Sequence, residues 1–212
     1  MKKFLMEGIG TFILVIMITL VHKNNAGEFP PLAYGSALAA LWYIGGQFSG
    51  AQYNPAISLA ALMQGKLERW DFPYYVLAQI AGGVLAAVLA AFLIRSSGEA
   101  DLVLRKYDTI SALFAEAIGA FLLTMIYLGI SVWPSEKTQG FAGLAVGLAA
   151  AAGVYAFSGI TIAAFNPVIV LGMAINGISA WGDVWVSLGG TMIGAAAGAS
   201  LSKVFQEPKS ME

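Results

Sequence analysis

The residues able to do chemistry in this chain are few, and they stand inside long apolar runs. Asn54 and Asn166 are each followed by a proline, Pro55 and Pro167, while Glu7 and Glu116 each interrupt an apolar segment. An asparagine amide offers N–H donors to a passing water or hydroxyl oxygen, and ahead of a proline it is also a strong helix N-cap. A carboxylate inside an apolar helix is a functional candidate by default, here as a proton site. Ser49 and Ser158, each in a Phe-Ser-Gly triplet, could serve as nucleophiles only with a base beside them. The single histidine, His22, closes the first apolar segment, and no second base is placed to activate either serine. Cysteine is absent, which excludes thiolate catalysis, Cys-ligated metal and disulfides. No enzyme activity, metal site or cofactor is expected.

The asparagines impose their own architecture. From Phe29 to Gly65 there is no charged residue and no histidine, a run too long for one membrane span of ~20 residues. Gly45-Gly46, Ser49-Gly50 and Asn54-Pro55 break it, so it reads as a full helix, an interruption and a shorter helix over 54–64. Asn54 caps the short helix, Pro55 fits its first turn, and Gly65 stops it. At ~1.5 Å per residue it covers ~16 Å, about half a membrane. The device recurs between Lys137 and Asp183, where Asn166-Pro167-Val168 opens a segment over 166–176 and Gly177 closes it.

Of 212 residues, 58% are hydrophobic and 11% charged, with a mean hydropathy of +0.77. Soluble domains carry about a quarter charged residues, so this composition predicts an integral membrane protein. A net charge of −1 argues against a nucleic-acid partner. Full spans are expected at 4–22, 32–48, 72–94, 110–132, 140–157 and 183–204. Trp70 falls at an interfacial position, the fourth span ends at Trp133-Pro134, and the fifth follows Glu136-Lys137. Gly190, Gly194 and Gly198, four residues apart, predict close helix packing.

The chain repeats itself. Met6-Glu7-Gly8-Ile9-Gly10-Thr11-Phe12 matches Ala115-Glu116-Ala117-Ile118-Gly119-Ala120-Phe121 at an offset of 109, and the two Asn-Pro pairs match at 112. Residues 1–96 form a first repeat, 97–108 a connection, 109–205 a second repeat and 206–212 a tail. Three full spans per half is an odd number, so the second half enters the membrane inverted. Inverted repeats with broken helices mark transport proteins with a site at the bilayer midplane. Counting Lys and Arg on the two sides places both termini in the cytoplasm.

Ser49-Gly50-Ala51-Gln52-Tyr53-Asn54-Pro55-Ala56, the paired Glu7 and Glu116, Ala78-Gln79-Ile80-Ala81-Gly82-Gly83 and the second Asn-Pro helix together resemble the aquaporin, or major intrinsic protein, family. The resemblance covers roughly residues 4 to 204. It implies an all-α membrane protein of six transmembrane helices and two re-entrant half-helices in an inverted repeat. It also implies a homotetramer in which each subunit holds its own pore for water or small neutral solutes. Asn54, Pro55, Ala56, Asn166, Pro167 and Val168 would be the pore motifs. Glu7 and Glu116 would accept from free N–H groups of the pore-lining loops, with Gln79 in support.

The second motif departs from the family pattern. Asn-Pro-Ala-Arg is replaced by Asn166-Pro167-Val168-Ile169, so the arginine of the outer constriction is missing. Family spacing then makes Tyr34, Val154, Ala163 and Ile169 the selectivity filter, mostly apolar and wider than in strict water channels. Polyols such as glycerol and undissociated metalloid acids become candidate solutes, although an apolar constriction can also dewet and close. An ion-coupled transporter using Glu7 and Glu116, or a closed structural membrane protein, are the alternatives. A prokaryotic inner membrane is the expected location.

Overall fold

A computed structural model describes residues 1–23, 30–96, 106–132 and 140–205. Among the described residues there are eight α-helices: α1 (Lys2–Lys23), α2 (Pro30–Ser49), α3 (Pro55–Met63), α4 (Phe72–Ser96), α5 (Thr109–Val132), α6 (Ala142–Phe157), α7 (Pro167–Ile175) and α8 (Trp181–Ser202), the last followed by a 3-10 turn. Trp133-Pro134, Glu136-Lys137, positions 97–105 of the central connection and the tail 206–212 lie outside the described residues.

Helices α3 and α7 are the two half-helices, nine residues each and so about 14 Å long. Asn54 and Asn166 are their N-caps, in extended backbone, with proline in the first turn. Both stop in the same way. Gly65 and Gly177 take φ of +66° and +67°, the left-handed conformation that ends helices at little cost only for glycine. The next N–H groups then fold back, Lys66 N–H to the Ala61 carbonyl and Ile178 N–H to the Met173 carbonyl.

Four of the long helices, α1, α4, α5 and α8, are long and apolar enough to cross a membrane by themselves. Helix α8 begins at Trp181, two residues before the expected start at 183. The Asp183 carboxylate accepts from the Ala180 N–H at 3.0 Å, so it closes the first turn from within.

Packing repeats the sequence symmetry. Helix α1 packs on α4, its counterpart α5 on α8, and α2 pairs with α6 across the two halves. Each crossing is set by a residue with no side chain. A methyl on Gly82 would lie 2.1 Å from the Gly8 carbonyl oxygen, one on Gly194 2.0 Å from that of Ala117, and one on Gly35 2.4 Å from that of Gly147. Close backbone approach of this kind is how helices associate where no hydrophobic effect separates them from lipid.

The half-helices fill the centre. Glu7, Asn54, Gln79, Glu116 and Asn166 are each at most 4% exposed, whereas Leu77, Leu85, Phe92, Ile110, Phe114 and Ile118 face outward. Polar inside and apolar outside is the distribution a bilayer requires. Trp70, Trp181 and Trp185 are exposed near helix starts, as interfacial aromatics are.

Candidate functional site

The N-termini of α3 and α7 meet in the interior, and the two asparagines clasp one another's chain. Asn54 Nδ2 donates to the Phe165 carbonyl at 2.8 Å, and Asn166 Nδ2 donates to the Tyr53 carbonyl at 2.9 Å. Their Oδ1 atoms accept from Ala56 N–H at 2.9 Å and Val168 N–H at 3.1 Å, capping the helices. An amide has two N–H donors, so each asparagine keeps one beyond the clasp. Both residues line a central cavity of about 20 Å³, walled by Leu14, Tyr34, Leu123 and Val146. That is room for about one water, which needs ~10–15 Å³ by this measure.

The chain leading to each asparagine is held in a strained form. Ala51, Tyr53, Ala163 and Phe165 have φ between 49° and 55°, left-handed although none is glycine. Each such residue costs ~1–3 kcal/mol and persists only where its surroundings dictate it. Two devices do so in both repeats. The Tyr53 ring fills the space over Gly10 and Gly45, and the Phe165 ring the space over Gly119 and Gly153. A methyl on Gly10 or Gly119 would lie 2.0 Å from the ring.

The second device is a buried carboxylate. Glu7 accepts from Gln52 N–H at 3.0 Å, Tyr53 N–H at 2.6 Å, Ser49 Oγ–H at 2.6 Å and Gln79 Nε2 at 2.8 Å. Glu116 accepts from Phe165 N–H at 3.0 Å, Thr161 Oγ1–H at 2.9 Å and Ser187 Oγ–H at 3.0 Å. Gln79 also donates to Ser58 on α3, tying α4 to the first half-helix.

Outward of the central cavity lies a smaller one, about 10 Å³, lined by Tyr34, Val154 and Ala163 together with His22 and Met173. Three of the four expected filter residues therefore share one wall. Ile169 is fully buried and is not among the lining residues. Tyr34 lines both cavities and donates from its hydroxyl to the Ala164 carbonyl at 2.9 Å, so its ring stands between them. Val168 turns instead to α4, where Gly83 makes room for it.

On the other side the central cavity gives way to a vestibule of about 790 Å³, whose rim carries Lys3, Lys66, Glu68 and Asp71, with Lys3 paired to Asp71. Gln52 and Tyr127 line both spaces. Sequence reasoning missed Tyr53, Phe165, Thr161, Ser187 and Tyr127. The glycines that receive the two rings were visible in the repeated Glu-x-x-Gly spacing of Glu7/Gly10 and Glu116/Gly119. Nothing in the sequence marked the others.

Residues 1–201 match the model of the family described as Major intrinsic protein. A glycerol uptake facilitator protein-like 6 of Lactiplantibacillus plantarum is 30% identical, over 96% of this chain and 98% of its own length. A probable aquaporin, AqpM, of Archaeoglobus fulgidus is 31% identical, over 94% and 95%. The X-ray structure of the aquaglyceroporin from Plasmodium falciparum superposes with a TM-score of 0.77 over 94% of both chains at 23% identity, which establishes the shared fold. The match along nearly the whole chain places it in the major intrinsic protein family, as a membrane channel and not an enzyme.

Proposed function

We propose that the channel passes water and small uncharged solutes of the glycerol type, passively, between the two Asn-Pro half-helices. The observation that carries this reading is the pair Asn54 and Asn166 on one central cavity, each with an N–H donor left over from the reciprocal clasp. A permeating oxygen would accept from both. The half-helix N-termini, each worth about +0.5 charge, face that point from opposite sides and oppose cations and protons while neutral molecules pass.

In this reading Tyr34, Val154 and Ala163 wall an uncharged outer constriction in which Tyr34 sets the aperture, and Ile169, buried where the family's motif carries arginine, brings no charge to it. Glu7 and Glu116, helped by Gln79, hold the loops before the asparagines in their strained form. Each repeat, 1–96 and 109–205, supplies one half-helix, and 97–108 joins them. Both termini face the cytoplasm of a prokaryotic cell, and four copies assemble, each with its own pore. The names of two relatives, a glycerol facilitator-like protein and a probable aquaporin, fit this solute range. Proton coupling through Glu7 or Glu116 is disfavoured because their carboxylates already accept from at least four and three described donors.

Stopped-flow light scattering on proteoliposomes, with water and glycerol challenges, tests the proposal. Wild type is expected to exceed protein-free vesicles. Asn54→Asp retains the capping oxygen but removes the N–H donors and adds negative charge. It is expected to slow neutral permeation about tenfold, the loss of roughly 1.4 kcal/mol, and to admit cations. Wild type indistinguishable from empty vesicles in both challenges would end the open-channel reading.

A further inference from the structure

Gln52 lies between the central cavity and the inner vestibule and lines both, as does Tyr127. It is only 4% exposed, and its Oε1 has no hydrogen-bond partner. The other end of the amide is engaged, hydrogen-bonding to the Tyr127 hydroxyl. A methyl on Gly50 would lie 3.2 Å from that hydroxyl and 3.7 Å from Gln52 Nε2, so the strained loop holds both groups on one side of its backbone. The phenol is itself fixed, since its ring packs edge-on against Trp42 with centroids 5.6 Å apart. A buried acceptor left unpaired is costly, and a fixed one at a passage is an open position for a donor.

We propose that Gln52 and Tyr127 form a second solute-binding station on the vestibule side of the asparagine pair, which takes a neutral hydroxyl-bearing molecule. The inference rests on the channel reading above and deepens it. At the midplane the asparagines can only donate to the permeant, so its own O–H groups are left facing along the passage. Gln52 Oε1 is the side-chain acceptor that meets them next. A polyol, with hydroxyls on successive carbons, can keep its oxygen on the asparagine amides while a neighbouring O–H donates to Gln52. A water must make all of these contacts from one oxygen, whereas a polyol can use a different oxygen for each. The station therefore favours polyol passage over water passage, independently of the outer constriction.

Purified protein in proteoliposomes, challenged separately with water and glycerol, tests this with two variants. Gln52→Met keeps the length and flexibility of the side chain without its hydrogen-bonding head. It is expected to lower glycerol permeability about tenfold, with water reduced much less, so the glycerol-to-water ratio falls. Tyr127→Phe leaves the amide in place but frees its position, and a smaller fall in the same ratio is expected. If wild type conducts and neither variant changes the ratio, whether or not both rates drop together, Gln52 is a spacer and the station does not exist. If wild type conducts neither molecule above protein-free vesicles, the channel reading falls and the station with it.

Discussion

The Val168 side chain occupies the space that a methyl on Gly83 would need, since the added carbon would lie 2.3 Å from Val168 Cγ1. Val168 stands where the family's motif carries alanine, and Gly83 on α4 is the residue that admits its extra bulk. Gly83→Ala is therefore expected to destabilise the protein by about 1–3 kcal/mol through overpacking against a β-branched side chain with little rotamer freedom. Helix propensity alone would favour the alanine by ~1 kcal/mol, so the sign discriminates between the two effects. Val168→Ala in the Gly83→Ala background should recover most of the loss. A double-mutant cycle on thermal unfolding in detergent measures it, and additive effects of the two substitutions would dissolve the pairing.

Much of the fold could be read from the chain because its strongest signals are local. Asn-Pro starts and glycine stops specify α3 and α7 within a residue or two of 54–64 and 166–176, and the absence of charge marks the long helices. That Gly190 and Gly194 pack closely also follows from spacing, although α5 as the helix they meet does not. What could not be read depends on which helices meet. The Tyr53 ring lies over Gly10 and Gly45, residues on two other helices, and no periodicity links them. Left-handed backbone at Ala51, Tyr53, Ala163 and Phe165 is equally invisible, because local propensity assigns that conformation to glycine and asparagine. Ile169 is placed at the filter by motif position alone, and motif position does not specify how the helices around such a residue pack; it is fully buried.

Helix α5 begins under a side-chain cap outside the apolar segment. Asp108 Oδ1 accepts from Ser111 N–H at 2.9 Å and from Ser111 Oγ–H at 2.7 Å. These two bonds, the backbone one first, hold the Asp108 carboxyl below its ordinary value. A lowered folded-state value means that the charged cap stabilises the protein above the unfolded-state pKa and that the contribution is lost as pH falls through the folded-state value. Asp108→Ala should lower the melting temperature at neutral pH, and the gap from wild type should close on acidification. A gap that persists unchanged in acid would show that the charge plays no part.

Glu7 and Glu116 hold the strained loops, and their substitution should be felt as stability rather than coupling. Glu7→Gln turns an amide NH2 toward a site where four donors already converge, leaving at least one of the Ser49, Gln52, Tyr53 or Gln79 donors unpaired. Each buried unpaired group costs about 1–3 kcal/mol. Glu116→Gln should behave alike at Phe165, Thr161 and Ser187. Both variants are expected to melt earlier, while wild-type solute flux stays indifferent to an imposed pH gradient. Accumulation of solute against its gradient, driven by protons and lost in Glu7→Gln, would reinstate a coupled transporter.

Tyr34 reaches from α2 to the loop before α7, and its hydroxyl bond to the Ala164 carbonyl fixes the ring between the central and outer cavities. A hydrogen bond of this kind is worth about 0.5–1.5 kcal/mol net. Removing it in Tyr34→Phe should raise the population with the ring displaced, and water permeability with it, by about two- to tenfold. Tyr34→Ala removes the ring as well. Glycerol needs far more room than the 10 Å³ of the outer cavity, so glycerol flux should rise more steeply than water flux in that variant. The ordering across wild type, Tyr34→Phe and Tyr34→Ala carries the argument. A latch predicts that the phenylalanine variant already gains water flux, whereas a ring acting only by its size predicts no change until alanine. If neither variant conducts more than wild type, the narrow point lies elsewhere along the passage, and Tyr34 serves only to brace α2 against the second repeat.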